Sequence, residues 1–334
     1  MMQAFRCQDF YVTALTTGLF LISFHYSIKA GIKSTISHKD SDSITDKQVQ
    51  LNHQPEWAKA NYPWIGDPYC QHLPVLFAKN KSRRKWALTS FPGSGVTWIR
   101  QLIEGATGIY TGTVYGATEP PIVATGGHHG NEADFNCGCT ILIKDHDGTE
   151  VDNLPAYLEE ISNTSMNAVR REEYEKRAIL LLRNPIDALF TFGHYIMAGD
   201  DQKGTVSPMT FKGPAWNHYV NYVTYAWADH AIRWIQNIQN GTVIFYELLL
   251  KDTEAELNRL LRAVNLTDPV DPERMRCTLK HKDRSDRKRS KKPTIPLTPG
   301  QYSKLVASIE RVQDSLRQKG WPLLPLRLYN LKKQ

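Results

Sequence analysis

Short apolar runs alternate with helix-like patterns between residues 85 and 265 of this 334-residue chain. Apolar runs bounded by turn residues predict strands at 85–91, 140–144, 178–182 and 242–246. Apolar residues at helical spacing predict helices at 97–107, 216–239, 253–264 and 302–320. The run 178–182, Ala-Ile-Leu-Leu-Leu, is typical of a strand buried on both faces. The pattern therefore predicts an α/β fold with a mostly parallel sheet and helices on both faces.

The amino-terminal part shows a different pattern. Residues 10–28 are nineteen residues without a formal charge, and as a helix they would reach about 28 Å, enough for one bilayer crossing. No small-x-small cleavage site follows, which favours a retained signal-anchor over a cleaved signal peptide. We expect a short tail at 1–9, a transmembrane anchor at 10–28, a flexible polar stem at 29–60 and a single domain at 61–334. A buried or interfacial helix at 10–28 remains the alternative.

Two signals disagree about the orientation of this anchor. More positive charges follow the apolar segment than precede it, which favours a cytoplasmic carboxyl-terminal part. Asn-x-Ser/Thr sequons favour a luminal, glycosylated one, and they occur at Asn80, Asn163, Asn240 and Asn265. The charge pattern alone does not fix the topology.

Composition and charge narrow the classes of partner. Hydrophobic residues make up 41% of the chain, which excludes wholesale disorder. The net charge of +7 is concentrated in Lys280 to Lys292, where eight Lys or Arg stand against two Asp. This run predicts contact with a densely negative partner at one place, and a solvated charged loop is the alternative. Because no aromatic residues are interleaved with it, no nucleic-acid partner is expected.

The five cysteines do not determine a unique framework. Cys7 precedes the apolar segment, which leaves Cys70, Cys137, Cys139 and Cys277 and three possible pairings. The Cys137–Cys139 spacing is too short for a zinc knuckle, so a disulfide-prone loop is preferred there to a metal site.

A glycine-rich turn between the first predicted strand and helix carries the strongest chemical signal. Its sequence is Phe-Pro-Gly-Ser-Gly-Val-Thr-Trp, residues 91–98. Gly93 and Gly95 allow a sharp turn, and the helix start presents N–H groups and positive potential to an anion. No Gly-Lys-Ser/Thr follows, so this is not a Walker A loop, and a nucleotide kinase is disfavoured.

This loop resembles the 5'-phosphosulfate-binding loop of the sulfotransferases that use 3'-phosphoadenosine 5'-phosphosulfate (PAPS). Its continuation to Gly112 most resembles the WSC-domain-containing, sialate O-sulfotransferase group, over residues 85–265, although the cysteine-rich WSC modules are absent. The resemblance implies PAPS as co-substrate and no metal. It implies cofactor binding by a run of loop residues: Pro92, Gly93, Ser94, Gly95, Val96, Thr97 and Trp98.

Further segments extend the resemblance. Arg183, directly after the buried strand, and Thr191, eight residues later, match the positions that hold the cofactor's 3'-phosphate in the family. Lys144-Asp145-His146 resembles the family's Lys-Thr-His, which makes His146 the candidate general base and Lys144 the candidate cation for the departing group. Asp145 either orients the imidazole or is exposed.

One family residue is missing. Gly93 occupies the position of the usual loop lysine, so Lys144 or Arg100 has to supply its charge. The softer matches Trp216 and Glu247 are expected to be structural, Glu247 by tying down a loop. In the family, the basic run is a mobile contact to the 3'-phosphate, and it could also bind an acidic acceptor.

The sequence therefore predicts a PAPS-dependent sulfotransferase acting on a hydroxyl, by resemblance on a glycan such as one carrying sialic acid. The predicted location is the Golgi membrane, single-pass type II, with the catalytic domain in the lumen. The alternative is a non-catalytic nucleotide-fold protein that binds acidic glycans through Lys280–Lys292. The sequence identifies neither the acceptor nor the oligomeric state.

Overall fold

The computed structural model describes residues 60–116, 129–147, 171–197, 206–266, 270–283, 294–329 and 331. All of them lie in one structural unit, Gln54–Gln334. The predicted tail at 1–9, anchor at 10–28 and nearly all of the stem at 29–60 lie outside the described residues. Among the helices of the described ranges, none has both the length and the apolar character needed to cross a bilayer.

A parallel sheet forms the centre of the described fold. Its strands are β1 (Ala87–Ser90), β2 (Gly112–Thr113), β3 (Ile143–Asp145), β4 (Arg177–Leu182) and β5 (Asn240–Phe245), in the spatial order β2-β3-β1-β4-β5. Every neighbouring pair is parallel. The predicted α/β class with a P-loop-type parallel sheet is confirmed.

The strand predicted at 140–144 is displaced. It begins at Ile143 and ends at Asp145, because the residues before it bond outside the sheet. The N–H of Ala78 donates to the carbonyl of Cys139, and the N–H of Ile141 donates to the carbonyl of Tyr110. The two-residue strand β2 was not predicted, because two residues are too short to show a period.

Helices connect and flank the strands. They are α1 (Val96–Thr107), α2 (Pro185–Met197), α3 (Gly213–Asn237), α4 (Tyr246–Lys251), α5 (Thr253–Ala263), α6 (Pro272–Lys280) and α7 (Pro299–Lys319). The helices predicted at 97–107, 216–239, 253–264 and 302–320 correspond to α1, α3, α5 and α7. The basic run, which the resemblance implies to be a mobile contact, begins inside a helix, because Lys280 is the last residue of α6. Residues 284–293 of the basic run lie outside the described residues.

Local sequence explains where several helices begin and end. Thr298 and Gln301 form a reciprocal capping box at the start of α7, and Gly320 ends that helix in the left-handed conformation. The side chains of Asp252 and Asp271 accept backbone N–H groups at the starts of α5 and α6.

The sheet separates two apolar layers. Ala178, Leu180 and Leu182 of β4 belong to the layer that includes Trp227 of α3 and Val312 of α7. The alternate residues of β4 pack instead with residues of α1 and α5 on the opposite face: Ile179, Leu181, Ile99, Leu102, Leu257 and Leu260. Burial of β4 on both faces, predicted from its unbroken apolar run, is confirmed.

Candidate functional site

The glycine-rich loop follows β1 at the carboxyl edge of the sheet. Gly93 and Gly95 have φ values of +81° and +96°, which L side chains rarely adopt. Gly95 is the N-cap of α1, and no side chain caps that end. The first turn of α1, with Val96 and Thr97, therefore presents its backbone N–H groups and the positive end of the helix dipole at the loop. Pro92 is buried where the loop leaves the strand.

Close packing on both sides fixes the shape of this loop. A Cβ atom on Gly93 would lie 2.7 Å from the carbonyl oxygen of Ala188 and 3.0 Å from the backbone nitrogen of Phe192. A Cβ atom on Gly95 would lie 2.6 Å from the ring of Tyr246. The loop is thus held between α2 and Tyr246, and a lysine at position 93 does not fit without moving backbone.

Arg183 lies between the glycine-rich loop and Thr191, the other residue predicted to bind the 3'-phosphate. Its Nη1 donates to the carbonyl oxygen of Gly93 at 2.7 Å and to the hydroxyl of Thr191 at 3.3 Å. Its guanidinium lies over the ring of Tyr246, 4.4 Å from the ring centre. The structure therefore brings together Arg183, Thr191 and the glycine-rich loop, which the sequence had placed about 90 residues apart.

Several buried polar atoms at the loop have no hydrogen-bond partner among the described residues. They are the hydroxyl oxygens of Ser90 and Ser94 and the Nε of Arg183. Buried polar groups are normally paired, and hydroxyl and guanidinium donors suit anionic oxygens. The donor set at this loop fits the phosphate and sulfate oxygens of a nucleotide phosphosulfate.

His146 lies beside the same loop, directly after β3. Its Nδ1 is 2.6 Å from the carbonyl oxygen of Ser90, the last residue of β1. A carbonyl only accepts, so Nδ1 carries the proton and Nε2 of the neutral imidazole carries the lone pair. Burial, and next the charge of Lys144, lowers the pKa of His146 to about 3. The imidazole is therefore neutral at physiological pH and can accept a proton at Nε2.

Lys144 and His146 both lie against the ring of Tyr115, a residue that was not identified from the sequence. The ring of Tyr115 stacks with the His146 imidazole at 6.0 Å, and Lys144 Nζ lies 5.3 Å from the centre of the same ring. The Tyr115 hydroxyl oxygen accepts the backbone N–H of His146 at 2.8 Å. The sequence carries no signal for Tyr115, because the two-residue strand before it is too short to show a period.

Asp145, the middle residue of Lys144-Asp145-His146, is not exposed, and it is not the hydrogen-bond partner of the His146 Nδ1. Asp145 is 1% exposed, and it accepts from the Tyr174 hydroxyl at 3.0 Å and from the backbone N–H of Asp147 at 2.8 Å. Arg100, the other candidate cation, is buried and donates to Thr111 and Asn131. Lys144 is therefore the better placed of the two candidates beside His146.

Trp98 links the loop helix to the start of the basic run. Its ring meets the edge of Tyr246 at 5.6 Å, and its Nε1 donates to the carbonyl oxygen of Lys282 at 2.8 Å. The Lys282 side chain donates to the hydroxyl of Thr253 at 3.3 Å. The first residues of the basic run are thus fixed next to the glycine-rich loop.

The structural roles expected for Glu247 and Trp216 are confirmed. Glu247 accepts the N–H of Asn184, which follows Arg183, at 2.8 Å. Burial raises the pKa of Glu247 to about 6. Trp216 is buried and stacks on Phe190 at 5.5 Å.

The cysteines form two disulfides, Cys70–Cys277 and Cys137–Cys139. Of the three pairings open from the sequence, the structure selects this one. Cys137 and Cys139 are bonded to each other, which agrees with the disulfide-prone loop expected there.

These features define the class: a P-loop-type α/β protein with an anion cradle, a neutral histidine and a lysine at one edge of its sheet. No protein-family model matches the chain. Curated relatives named WSCD family members do match it. A protein of Aedes aegypti is 29% identical over 227 residues, covering 64% of this chain and 61% of the relative. One of Drosophila melanogaster is 29% identical over 224 residues, covering 64% and 57%. One of Drosophila pseudoobscura is 29% identical over 208 residues, covering 59% and 55%.

The matched region thus spans about three fifths of the length of these relatives. The similarity agrees with the resemblance of the loop to the WSC-domain-containing group. Among solved structures, the mouse sulfotransferase SULT7A1 complexed with PAP superimposes with a TM-score of 0.40 and 15% identity, covering 72% of this chain and 87% of that one.

Proposed function

We propose that this chain is a PAPS-dependent sulfotransferase that transfers a sulfuryl group to an acceptor hydroxyl on a glycan. The observation that carries the proposal is the position of Arg183, which donates to the Gly93 carbonyl and to the Thr191 hydroxyl, beside buried donors that have no partner among the described residues. Sialic acid as the acceptor rests on the resemblance to the sialate O-sulfotransferase group.

In this proposal each residue of the site has its own role in binding or in proton transfer. The loop residues 92–98 bind the phosphosulfate, while Arg183 and Thr191 bind the 3'-phosphate. His146 Nε2 takes the proton from the acceptor hydroxyl as its oxygen bonds to sulfur and the bond from sulfur to the phosphate oxygen breaks. Lys144 stabilises the charge left on that phosphate oxygen. The products are the sulfate ester, 3',5'-adenosine bisphosphate and a proton, which His146, with its low pKa, releases to solvent.

Calorimetric binding of 3',5'-adenosine bisphosphate to the full chain tests the cofactor site. Arg183→Lys keeps the positive charge but loses the planar guanidinium, which can bind two oxygens of a phosphate at once, so we expect the affinity to fall by about tenfold or more. Arg276→Ala is the matched control, because that arginine is exposed on α6 and pairs only with Glu273 among the described residues. Failure of the folded wild-type chain to bind the nucleotide would refute the proposal.

A second measurement separates the enzyme from a glycan-binding module. The amide nitrogen of His146→Asn can still donate to the Ser90 carbonyl, but asparagine has no basic nitrogen corresponding to Nε2. We expect the variant to bind the nucleotide and to lose sulfuryl transfer. Nucleotide and glycan binding in a wild-type chain that gives no turnover would instead favour the non-catalytic module.

We also propose a luminal location in the Golgi with a single type II anchor at 10–28. Two features support it: the disulfides, which persist in oxidising compartments, and the exposure of the sequon residues Asn80, Asn240 and Asn265. Removal of N-linked glycans from the expressed full chain should increase its gel mobility, and Asn80→Gln should remove part of that shift. A chain without N-linked glycans would contradict the luminal location.

A further inference from the structure

A second group of chemically reactive side chains lies around the Cys70–Cys277 disulfide. Potential ligand atoms of Asp67, Cys70 and His281 lie within 4.8 Å of one another. The His281 Nε2 is 2.6 Å from the Asp67 Oδ2. Cys277, bonded to Cys70, adds a second sulfur at the same place. Two sulfurs, an imidazole and a carboxylate are a set of ligand types that zinc accepts in tetrahedral sites.

Two backbone turns arrange these side chains in pairs. Asp67 and Cys70 belong to one turn, in which the N–H of Cys70 donates to the carbonyl of Asp67 at 3.1 Å. Cys277 and His281 lie one helical turn apart at the end of α6, where the N–H of His281 donates to the carbonyl of Cys277 at 3.0 Å. Each segment thus supplies one sulfur and one harder ligand from a fixed hydrogen-bonded turn.

The surroundings also suit a metal. Cys277 is fully buried, Cys70 is 2% exposed, and Trp64 and Leu73 pack with them as a small apolar cluster. The Trp64 ring stacks on the His281 imidazole with centres 6.0 Å apart. This apolar cluster shields the two sulfurs from water, while the His281 side chain is 34% exposed and leaves a path by which a metal ion can enter.

We propose that Asp67, Cys70, Cys277 and His281 form a zinc site when the Cys70–Cys277 disulfide is reduced. A dithiol reductant converts the disulfide to two thiols and is itself oxidised to a disulfide. One Zn²⁺ then replaces the two thiol protons, which are released to solvent. The metal and the disulfide are alternative cross-links between the same two segments.

The exchange requires movement of all four ligands. Tetrahedral Zn–N and Zn–O bonds of about 2.0 Å place those two ligands about 3.3 Å apart, so His281 and Asp67 separate by less than 1 Å. Zn–S bonds of about 2.3 Å place the two sulfurs about 3.8 Å apart, so the formerly bonded sulfurs separate further than that pair. Lys280, whose Nζ is 2.7 Å from the Asp67 Oδ2, has to leave that carboxylate. Its side chain is 55% exposed and can turn into solvent.

Cobalt binding to the full chain tests the site. The background is the Cys7→Ser, Cys137→Ser, Cys139→Ser variant, in which only Cys70 and Cys277 can supply thiolates. The chain is reduced with dithiothreitol, freed of the reductant without oxygen and titrated with Co²⁺. We expect the absorption bands of tetrahedral thiolate-bound cobalt at one ion per chain, displacement by Zn²⁺, and no bands in the oxidised chain.

Ligand variants and thermal unfolding make the test specific. His281→Ala and Asp67→Ala should each weaken metal binding by about tenfold or more, while His72→Ala, at an exposed histidine that pairs with Glu273 beside α6, should not change it. Reduction should lower the melting temperature, and Zn²⁺ should restore it only where all four ligands are present. Absence of cobalt bands in a folded, reduced chain would overturn the proposal, as would equal binding by the His281→Ala and His72→Ala variants.

Discussion

Gly93 occupies the position at which the resemblance to the sulfotransferase loop predicts a lysine, and its replacement tests what holds the loop in place. Two separate costs apply to Gly93→Ala. The φ of +81° is a left-handed conformation, which costs an L-residue roughly 1–2 kcal/mol. The added Cβ also meets the backbone of α2 at 2.7 and 3.0 Å. Overpacking against groups that cannot rotate away costs typically about 1–3 kcal/mol more.

Two other glycines separate these costs. Gly213 has the same φ of +81°, but nothing lies within 4 Å of its Cβ position, so Gly213→Ala should show only the conformational cost. Gly300, in α7, has no positive φ, and nothing described lies within 4 Å of its Cβ position, so Gly300→Ala should be slightly stabilising, by up to about 1 kcal/mol. We therefore expect the free energy of unfolding to fall by about 2–5 kcal/mol for Gly93→Ala and by about 1–2 for Gly213→Ala, and not to fall for Gly300→Ala.

Urea unfolding of the full chain measures all three values, and nucleotide calorimetry shows whether the loop still binds. Gly93→Lys, which restores the usual lysine, should bind 3',5'-adenosine bisphosphate more weakly than wild type, because its backbone cannot keep the close approach to Ala188. Equal destabilisation by Gly93→Ala and Gly213→Ala would refute the packing argument. So would a gain in nucleotide affinity or turnover from Gly93→Lys.

Three further predictions concern buried groups around the loop. The pKa of His146 is about 3 in the folded chain and 6.5 in the unfolded chain, so the unfolded state binds the proton more readily and acid favours unfolding. As the pH falls below 6.5, His146→Asn should therefore lose less stability than wild type. The difference, measured by chemical denaturation, should be up to about 1.4 kcal/mol per pH unit. Tyr115→Phe removes the acceptor of the His146 N–H, so it should cost about 1–3 kcal/mol and lower turnover without weakening nucleotide binding. The pKa of Glu247 is about 6 in the folded chain and 4.5 in the unfolded chain, so its charged form destabilises the fold increasingly as the pH rises from 4.5 to 6. Glu247→Gln should therefore be more stable than wild type at pH 7, by up to about 2 kcal/mol, and show no such gain at pH 4. If the free energy of unfolding of a variant depends on pH in the same way as that of wild type, the first or the third prediction is contradicted. Unchanged turnover in Tyr115→Phe would contradict the second.

The sequence predicted the parts of this site that local physics determines. A continuous apolar run indicates the buried strand β4, and an arginine at its end lies at the carboxyl edge of a parallel sheet. Thr191, two helical turns along α2, faces the same way as Arg183, and the two side chains are within hydrogen-bonding distance. The turn around Gly93 and Gly95 was predictable for the same reason, because only glycine accepts such φ values readily.

Other parts depend on contacts between distant segments and have no local signal. Tyr246 lies at the start of a helix about 150 residues after the loop, yet its ring contacts Gly95, Trp98 and Arg183. The pairing of Cys70 with Cys277, at a separation of 207 residues, follows from the packing of α6 and could not be chosen from spacing. Gly93 could be interpreted from sequence only as a missing lysine, whereas the structure shows that α2 leaves no room for a side chain.

In this site the cation lies beside His146, and the glycine-rich loop has no side chain at position 93. Lys144, in β3, and His146, the residue directly after that strand, both lie against Tyr115, while Asp145 between them points away and accepts from Tyr174. Burial first, and the charge of Lys144 second, lower the pKa of His146 and keep its imidazole neutral. The backbone from Lys144 to His146 thus places a cation next to a neutral imidazole, and the missing side chain at Gly93 lets the glycine-rich loop pack against α2.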